Sequence, residues 1–323
     1  MSVGTRPLVP SRLAPTRRSP RATQGLVHGS RRAPRTVLGG YVALTKPRII
    51  ELLLVTTLPA MVMAERGWPP VRLIVATLIG GTLAAGGANA INMYVDRDID
   101  RLMDRTANRP LVTGLIEPRN ALVFALALEL VAFAVLWVFT NLLAAVLAVS
   151  ATGFYVFVYT LWLKRTSTQN IVIGGAAGAM PVLVGWSAIT NSLAWAPVVL
   201  FAVIFFWTPP HFWALAIRYA DDYRAAGVPM LPAVVPLTVA VRKMLIYTGI
   251  LVVTSFLLIP VGHLSWIYSI SAAVLGLAFL AGVADLARRP TIARAMRVFG
   301  FSISYVTLLF GAITVDVLVR YGW

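Results

Sequence analysis

Between Asp96 and Arg109 the chain carries four aspartates and four arginines in fourteen positions, and their spacing sorts them by chemistry. Asn92, Asp96 and Asp100 fall at i, i+4 and i+8, one face of a helix if the helix continues that far, with Asn89 one turn earlier. An oxygen-only row of this kind suits a hard cation, and Mg²⁺ is ordinarily held by one or two carboxylates together with substrate phosphates. Arg101, Arg105 and Arg109 repeat the same spacing and offer donors matched to phosphate oxygens. Carboxylates and guanidiniums interleaved in one loop describe a Mg²⁺–diphosphate site. A salt-bridged helix end with no ligand is the plain alternative. Asp98 and Asp104 fall off the row and are expected to pair with neighbouring arginines.

A second, weaker cluster is Arg218, Asp221, Asp222 and Tyr223. Adjacent Asp221 and Asp222 do not share one helical face, yet two carboxylate loops on one side could hold two cations or clamp one diphosphate. Lys164 with Arg165, and Lys46 with Arg48, sit at helix ends, where position alone reads them as ordinary basic anchors. His211 lies in WTPPHFW among Trp207, Phe212 and Trp213, where it either packs or touches a flat aromatic substrate. The pair Pro209-Pro210 is expected to break the helix there. Glu129 is a carboxylate in the middle of an apolar run, functional or neutral and hydrogen-bonded.

The elements that must position these groups are apolar helices. Of 323 residues 59% are hydrophobic and only 12% charged, against about a quarter charged in soluble domains. Repeated apolar runs of eighteen or more residues make the chain an all-α polytopic membrane protein. Nine spans are expected, near 47–65, 71–94, 118–139, 142–163, 169–189, 194–216, 240–261, 264–284 and 298–319. Short turns at Thr140-Asn141, Asn191-Ser192 and Gly262-His263 make antiparallel neighbours of the helices they join. Gly80-Gly81, Gly86-Gly87, Gly174, Gly175 and Gly178 are expected at close helix contacts.

With nine spans the loops alternate sides, and one side carries 25 of the 28 Lys and Arg. The positive-inside rule then places the N-terminus and both polar loops, 95–118 and 217–239, in the cytoplasm, and the C-terminus opposite. The net charge of +16 follows from this distribution and calls for no nucleic acid. Residues 1–40 are rich in Arg, Pro and Ser and contain no acid. They resemble a transit peptide in composition, but read more simply as a disordered basic tail on an anionic inner leaflet, ahead of a transmembrane domain from 41 to 323. No cysteine is present, which excludes disulfides, thiolate metal sites and cysteine nucleophiles; three scattered histidines argue against a His-rich metal centre.

The stretch NMYVDRDIDRLMDRTANRPLVTG (92–114) resembles the first aspartate-rich motif of the UbiA superfamily of intramembrane prenyltransferases. Met93 departs from the superfamily's Asn-Asp-x-x-Asp-x-x-x-Asp form in the way typical of the protohaem IX farnesyltransferase (haem O synthase) branch. The segments 44–61, 159–181 and TPPHFWALAIRYADDYRAAGVPMLP (208–232) are similar to the same branch, and the likeness covers about residues 40–320. Thr208 stands where that branch would have Gln, and the second Asp-x-x-x-Asp motif is not intact, only Asp221 and Asp222 remaining.

The resemblance implies nine transmembrane helices around a central cavity capped by the two loops. It implies farnesyl diphosphate and haem B as substrates, within a lipid bilayer. Mg²⁺ would be held by Asn92, Asp96 and Asp100, with Asp222 as a further ligand. Lys46, Arg101, Arg105, Arg109, Lys164 and Arg165 would bind the diphosphate. Asp96, Asp100, Arg105, Arg109 and Lys164 would carry the catalysis. His211, Trp207 and Tyr219 would contact the haem. A bacterial plasma membrane and a downstream haem A synthase fit the same reading. Two others compete: a prenyltransferase acting on a quinone precursor or other aromatic acceptor, and an ion-coupled transporter. The ionisable groups gather at one membrane face and not along the midplane, which opposes transport.

Overall fold

Local stop and start signals set the helices of the computed structural model, which describes residues 36–322, the side chains of 48, 49 and 51–54 excepted. The hydroxyl of Thr36 accepts the Gly39 amide at 3.1 Å and caps α1 (Val37–Thr45). Lys46 then takes φ 53°, and Pro47 opens α2 (Pro47–Glu65) at a position where its missing N–H costs nothing. The chain continues through α3 (Val71–Val95), α4 (Arg97–Asp100) and α5 (Pro118–Phe139). Asn141 caps α6 (Leu142–Gly153), accepting the Ala144 amide at 2.9 Å. α6 runs without a break into a π-helical stretch, Phe154–Leu163, and the short α7 (Lys164–Thr166). α8 (Asn170–Thr190), α9 (Trp195–Arg218), α10 (Ala220–Ala225), α11 (Leu231–Val234), α12 (Leu237–Gly262), α13 (Trp266–Arg288) and α14 (Ile292–Tyr321) complete it. Asn191 and His263, both left-handed, end α8 and α12 at the expected short turns.

No strand occurs among the described residues, and eight of their helical stretches are long and apolar enough to cross a membrane. These correspond to the second through ninth expected spans. The first expected span is the 19-residue helix α2, part of whose side chains lie outside the described residues. The basic tail expected at the N-terminus lies outside them up to residue 35, as does the side chain of Arg48. α3 packs on α5; α9 packs on α8, α12 and α14; and α2 touches α3, α8 and α14, tying the first spans to the last.

The expected break at Pro209-Pro210 does not occur. α9 passes through both prolines without a break, and just before them the Thr208 hydroxyl donates to the Ile204 carbonyl at 2.8 Å. Thr208 also packs where a side chain on Gly175 would stand, 2.9 Å from its Cβ, so α8 and α9 approach closely there. Gly80, Gly86, Gly87 and Gly174 sit at similar contacts, whereas Gly81 and Gly178 have no neighbour within 4 Å.

At the end where α13 begins, Asp316 of α14 is fully buried and accepts the amides of Ser265 (2.9 and 3.0 Å, one to each oxygen) and Tyr268 (2.9 Å) and the Ser265 hydroxyl (2.7 Å). It therefore caps the N-terminus of α13, where the helix dipole also favours a negative charge.

Candidate active site

α3 ends at Val95, yet the row on its face survives. Asp96 sits at φ −84° and ψ 3°, its amide bonds the Asn92 carbonyl at 2.9 Å, and the Asp100 amide bonds the Asp96 carbonyl at 2.9 Å. The i, i+4, i+8 geometry thus crosses a one-residue interruption, leaving Asn92, Asp96 and Asp100 all buried. Beyond Asp100 the chain leaves the helix. The Thr106 hydroxyl donates to the Asp100 carbonyl at 2.8 Å and folds residues 101–113 into successive turns. The expected helical row of arginines therefore does not form. Arg109 doubles back onto Asp100 at 2.5 Å, Arg105 stands exposed over the Tyr219 ring at 5.5 Å, and Arg101 faces outward.

Around the two aspartates the structure gathers cations from distant parts of the chain. Lys164 is ion-paired to Asp96 Oδ2. Arg165 Nη2 approaches Asp96 Oδ1 to 3.7 Å and grips Asp98 with two bonds of 2.7 Å. Lys46 donates to Asn92 Oδ1 at 2.8 Å, and the Thr45 carbonyl beside it is held by Asn89 at 3.0 Å. Asn92 Nδ2 in turn donates to Asp96 Oδ2 at 2.7 Å and to the Thr160 hydroxyl at 3.1 Å. Lys46 and Lys164, which position alone read as anchors, are the innermost cations of the site.

Electrostatics follow from this crowding. Burial pushes the Lys46 ammonium well below the ordinary lysine range; nearby Arg109 and Lys164 push the same way, and Asp96 and Asp100 oppose them. Asp98, expected to pair with a neighbouring arginine, does so with Arg165 of α7 and is held down at about 2, chiefly by the hydrogen bonds from it. Asp104 stays exposed.

One oxygen of each central carboxylate is left without a hydrogen bond. Asp96 Oδ1 and Asp100 Oδ1 are buried and accept no hydrogen bond, an arrangement that costs free energy unless something positive arrives. A Mg²⁺ ion is ordinarily held by one or two protein carboxylates with substrate phosphates completing its shell, and this donor set fits that ion.

The second loop meets the first through Arg105 on Tyr219 and through Ile99 and Met103, which share one apolar core with Tyr223, Val228 and Met230. Asp221 is exposed and paired with Arg224, whose Nε also donates to the Ala233 carbonyl at 2.8 Å. Asp222 is half-buried and has no ion pair among the described residues. His211 is buried between the rings of Trp207 (4.2 Å) and Phe299 (4.7 Å), and its Nδ1 lies 2.6 Å from the Ser302 hydroxyl. Trp207 Nε1 donates to the Ser302 carbonyl at 2.7 Å, so both side chains fasten α9 to α14. Glu129 accepts from Thr152 at 3.1 Å and abuts Gly87.

Sequence reasoning passed over Thr160. Its hydroxyl donates to the Tyr155 carbonyl at 2.9 Å, five residues back, as the π-helical stretch allows, while accepting from Asn92. Nothing in the spacing of residues 154–163 announces that register.

Residues 53–306 match the UbiA prenyltransferase family. A protein from Renibacterium salmoninarum described as protoheme IX farnesyltransferase is 54% identical over 85% of this chain and 88% of its own length. Among solved structures, a digeranylgeranylglyceryl phosphate synthase aligns with a TM-score of 0.73 and 18% identity, over 88% of this chain and 99% of that one. A UbiA homolog from Archaeoglobus fulgidus bound to GPP and Mg²⁺ aligns with a TM-score of 0.61 and 18% identity, over 85% and 99%.

Proposed function

The chain belongs to the UbiA prenyltransferase family, and from that premise we propose that it is an integral membrane enzyme transferring the farnesyl group of farnesyl diphosphate to a vinyl group of haem B. Water adds to the product, giving haem O and diphosphate. Membership of a prenyltransferase family sets the transport reading aside. The observation that carries the site assignment is the pair of buried oxygens on Asp96 and Asp100 that accept no hydrogen bond, ringed by Lys46, Lys164, Arg109 and Arg165.

In this reading the diphosphate enters the ring of cations. Lys164 and Lys46 have flexible stems and turn from Asp96 and Asn92 to its oxygens; Arg109 and Arg105 close on it from the loop. Mg²⁺, held by Asp96 and Asp100 with Asn92 once Lys46 has turned away, would neutralise diphosphate charge. As the allylic C–O bond lengthens, negative charge moves onto the departing diphosphate, where the lysines and arginines stabilise it. The terminal vinyl carbon forms the new C–C bond. Hydroxide from water ends on the adjacent carbon, and the water's remaining proton goes to the diphosphate or solvent. Trp207, His211 and Tyr219 are proposed on the haem side, and Asp222 and Arg101 at the outer rim. The charge asymmetry of the loops supports a cytoplasmic site and N-terminus in a bacterial plasma membrane, with haem O passing to a haem A synthase.

The test is pigment extraction from membranes of a host that makes haem B but no haem O. Expression of the chain is expected to yield haem O, and Asp96→Asn to abolish it. Prenylation of a quinone precursor with no haem O would overturn the acceptor; full haem O from an inserted Asp96→Asn protein would overturn the site.

A further inference from the structure

Where α13 gives way to α14, Arg288 ends the first helix, Arg289 follows it, and Arg294 and Arg297 stand in the first two turns of the second, with one carboxylate, Asp285, near them. Arg294 Nε donates to Asp285 Oδ2 at 2.7 Å, and Arg297 Nη2 stands 4.0 Å from the same oxygen. A single carboxylate oxygen leaves most guanidinium N–H groups of both arginines uncommitted, and the Arg297 side chain is 72% exposed. Beneath this rim a cleft of about 220 Å³ runs between the helices. Phe279 and Phe301, edge to face at 5.9 Å, line it with Val298, and Gly282 leaves its wall open.

The two levels are separated by depth. A rise of 1.5 Å per residue puts Phe279 about 9 Å along α13 from Asp285, and Phe301 about 10 Å along α14 from Arg294. Guanidiniums at the helix ends with an aromatic trough that far below them match one amphiphile profile: an anionic phosphate at the interface and an acyl chain beneath it. Four guanidiniums against one carboxylate favour an anionic headgroup over a zwitterionic one. None of these residues is ion-paired to Asp96 or Asp100.

We propose that the α13–α14 cleft is a site for one anionic phospholipid, its phosphate held by Arg294 and Arg297 and an acyl chain laid over Phe301 past Gly282, with the buried Phe279 as the floor. The full chain, purified in detergent, would be titrated with phosphatidylglycerol and with phosphatidylcholine of the same acyl chains, and bound lipid counted by native mass spectrometry. One phosphatidylglycerol should be retained in clear preference. The double variant Arg294→Gln with Arg297→Gln should bind it about thirtyfold more weakly, from the loss of two basic groups at the interface. Gly282→Leu should weaken it with every charge in place, because the nearest neighbour of a Cβ there is Val298 at 3.9 Å and the longer side chain enters the cleft. Retained farnesyl transfer by the variants shows that they are folded. Equal retention of the two lipids by the parent protein overturns the proposal, as does undiminished phosphatidylglycerol binding in both variants. Displacement of the lipid by inorganic phosphate alone would reduce the site to an anion patch and overturn it too.

Discussion

Asp316 at one end of the bundle and the Asp96–Asp100 pair at the other are equally buried, and their surroundings differ in kind. Asp316 has both oxygens supplied with donors, four bonds in all, and every donor belongs to the start of α13. Asp96 and Asp100 each have one oxygen bonded to a cation and one that accepts no hydrogen bond, Arg165 coming no nearer than 3.7 Å to that of Asp96. Burial of a carboxylate therefore does not identify a reactive centre; what distinguishes the two is whether the valences left after desolvation are filled from within the fold. The saturated carboxylate is part of the architecture. The unsaturated pair is held in a costly state by neighbours that are able to let go.

Swapping the carboxylates for amides should separate the two ends most sharply. Asp100→Asn should lower turnover by about 10³-fold, the upper range for removing one group that stabilises developing charge, with little change in melting temperature. Asp316→Asn should do the reverse, costing about 1–3 kcal/mol of stability while leaving turnover per folded molecule intact. Initial rates and thermal melts of the same samples check both. Lys164→Gln should reduce kcat by about 10²-fold at saturating substrate, and Lys164→Arg should recover part of it. Thr160→Val, which takes an acceptor from Asn92, should raise the Mg²⁺ concentration needed for half-maximal rate by about tenfold, with a smaller effect at saturation.

The smallest expected effect is one of pH. Lys46 is depressed below the usual lysine range, so it loses its proton on the alkaline side earlier than an exposed lysine would. Activity should fall there, and Lys46→Arg should move the fall to higher pH. Stability should move the other way. The unfolded chain holds that proton more tightly, so folding is disfavoured below the lowered value and recovers as pH rises towards the ordinary one. A rate profile and a melt profile that fell together would contradict the assignment.

These groups were unequally legible in the sequence. Asn92, Asp96 and Asp100 could be read because helical spacing is local and their hydrogen-bonded register crosses the break at Asp96. Lys46 and Lys164 looked like anchors because their partners lie 46 and 68 residues away, a distance no periodicity encodes. The arginine row failed for a local reason, the Thr106 bond that turns the chain after Asp100. Pro209-Pro210 misled because proline rules come from water-soluble helices, whereas helices packed within a membrane protein tolerate proline, and α9 is packed against α8, α12 and α14. Asp316 carried no signal of its own, since its donors, Ser265 and Tyr268, are some fifty residues earlier. The helical membrane class needed only composition and run length.

The π-helical stretch from Phe154 to Leu163 has a consequence for inheritance. It joins two helical registers, that of α6, which packs on α5 and α8, and that of Lys164 and Arg165, which serve the aspartates. Thr160 is tied to the site by its hydrogen bond to Asn92 and Tyr159 is packed against Gly174, while Phe157, Leu161 and Trp162 face outward and are free to vary in identity. The number of residues is not free. Losing one residue would swing everything beyond it by about 100° and carry Lys164 off Asp96. Along this segment, selection should act on length more strictly than on composition, and insertions or deletions should be rarer than substitutions.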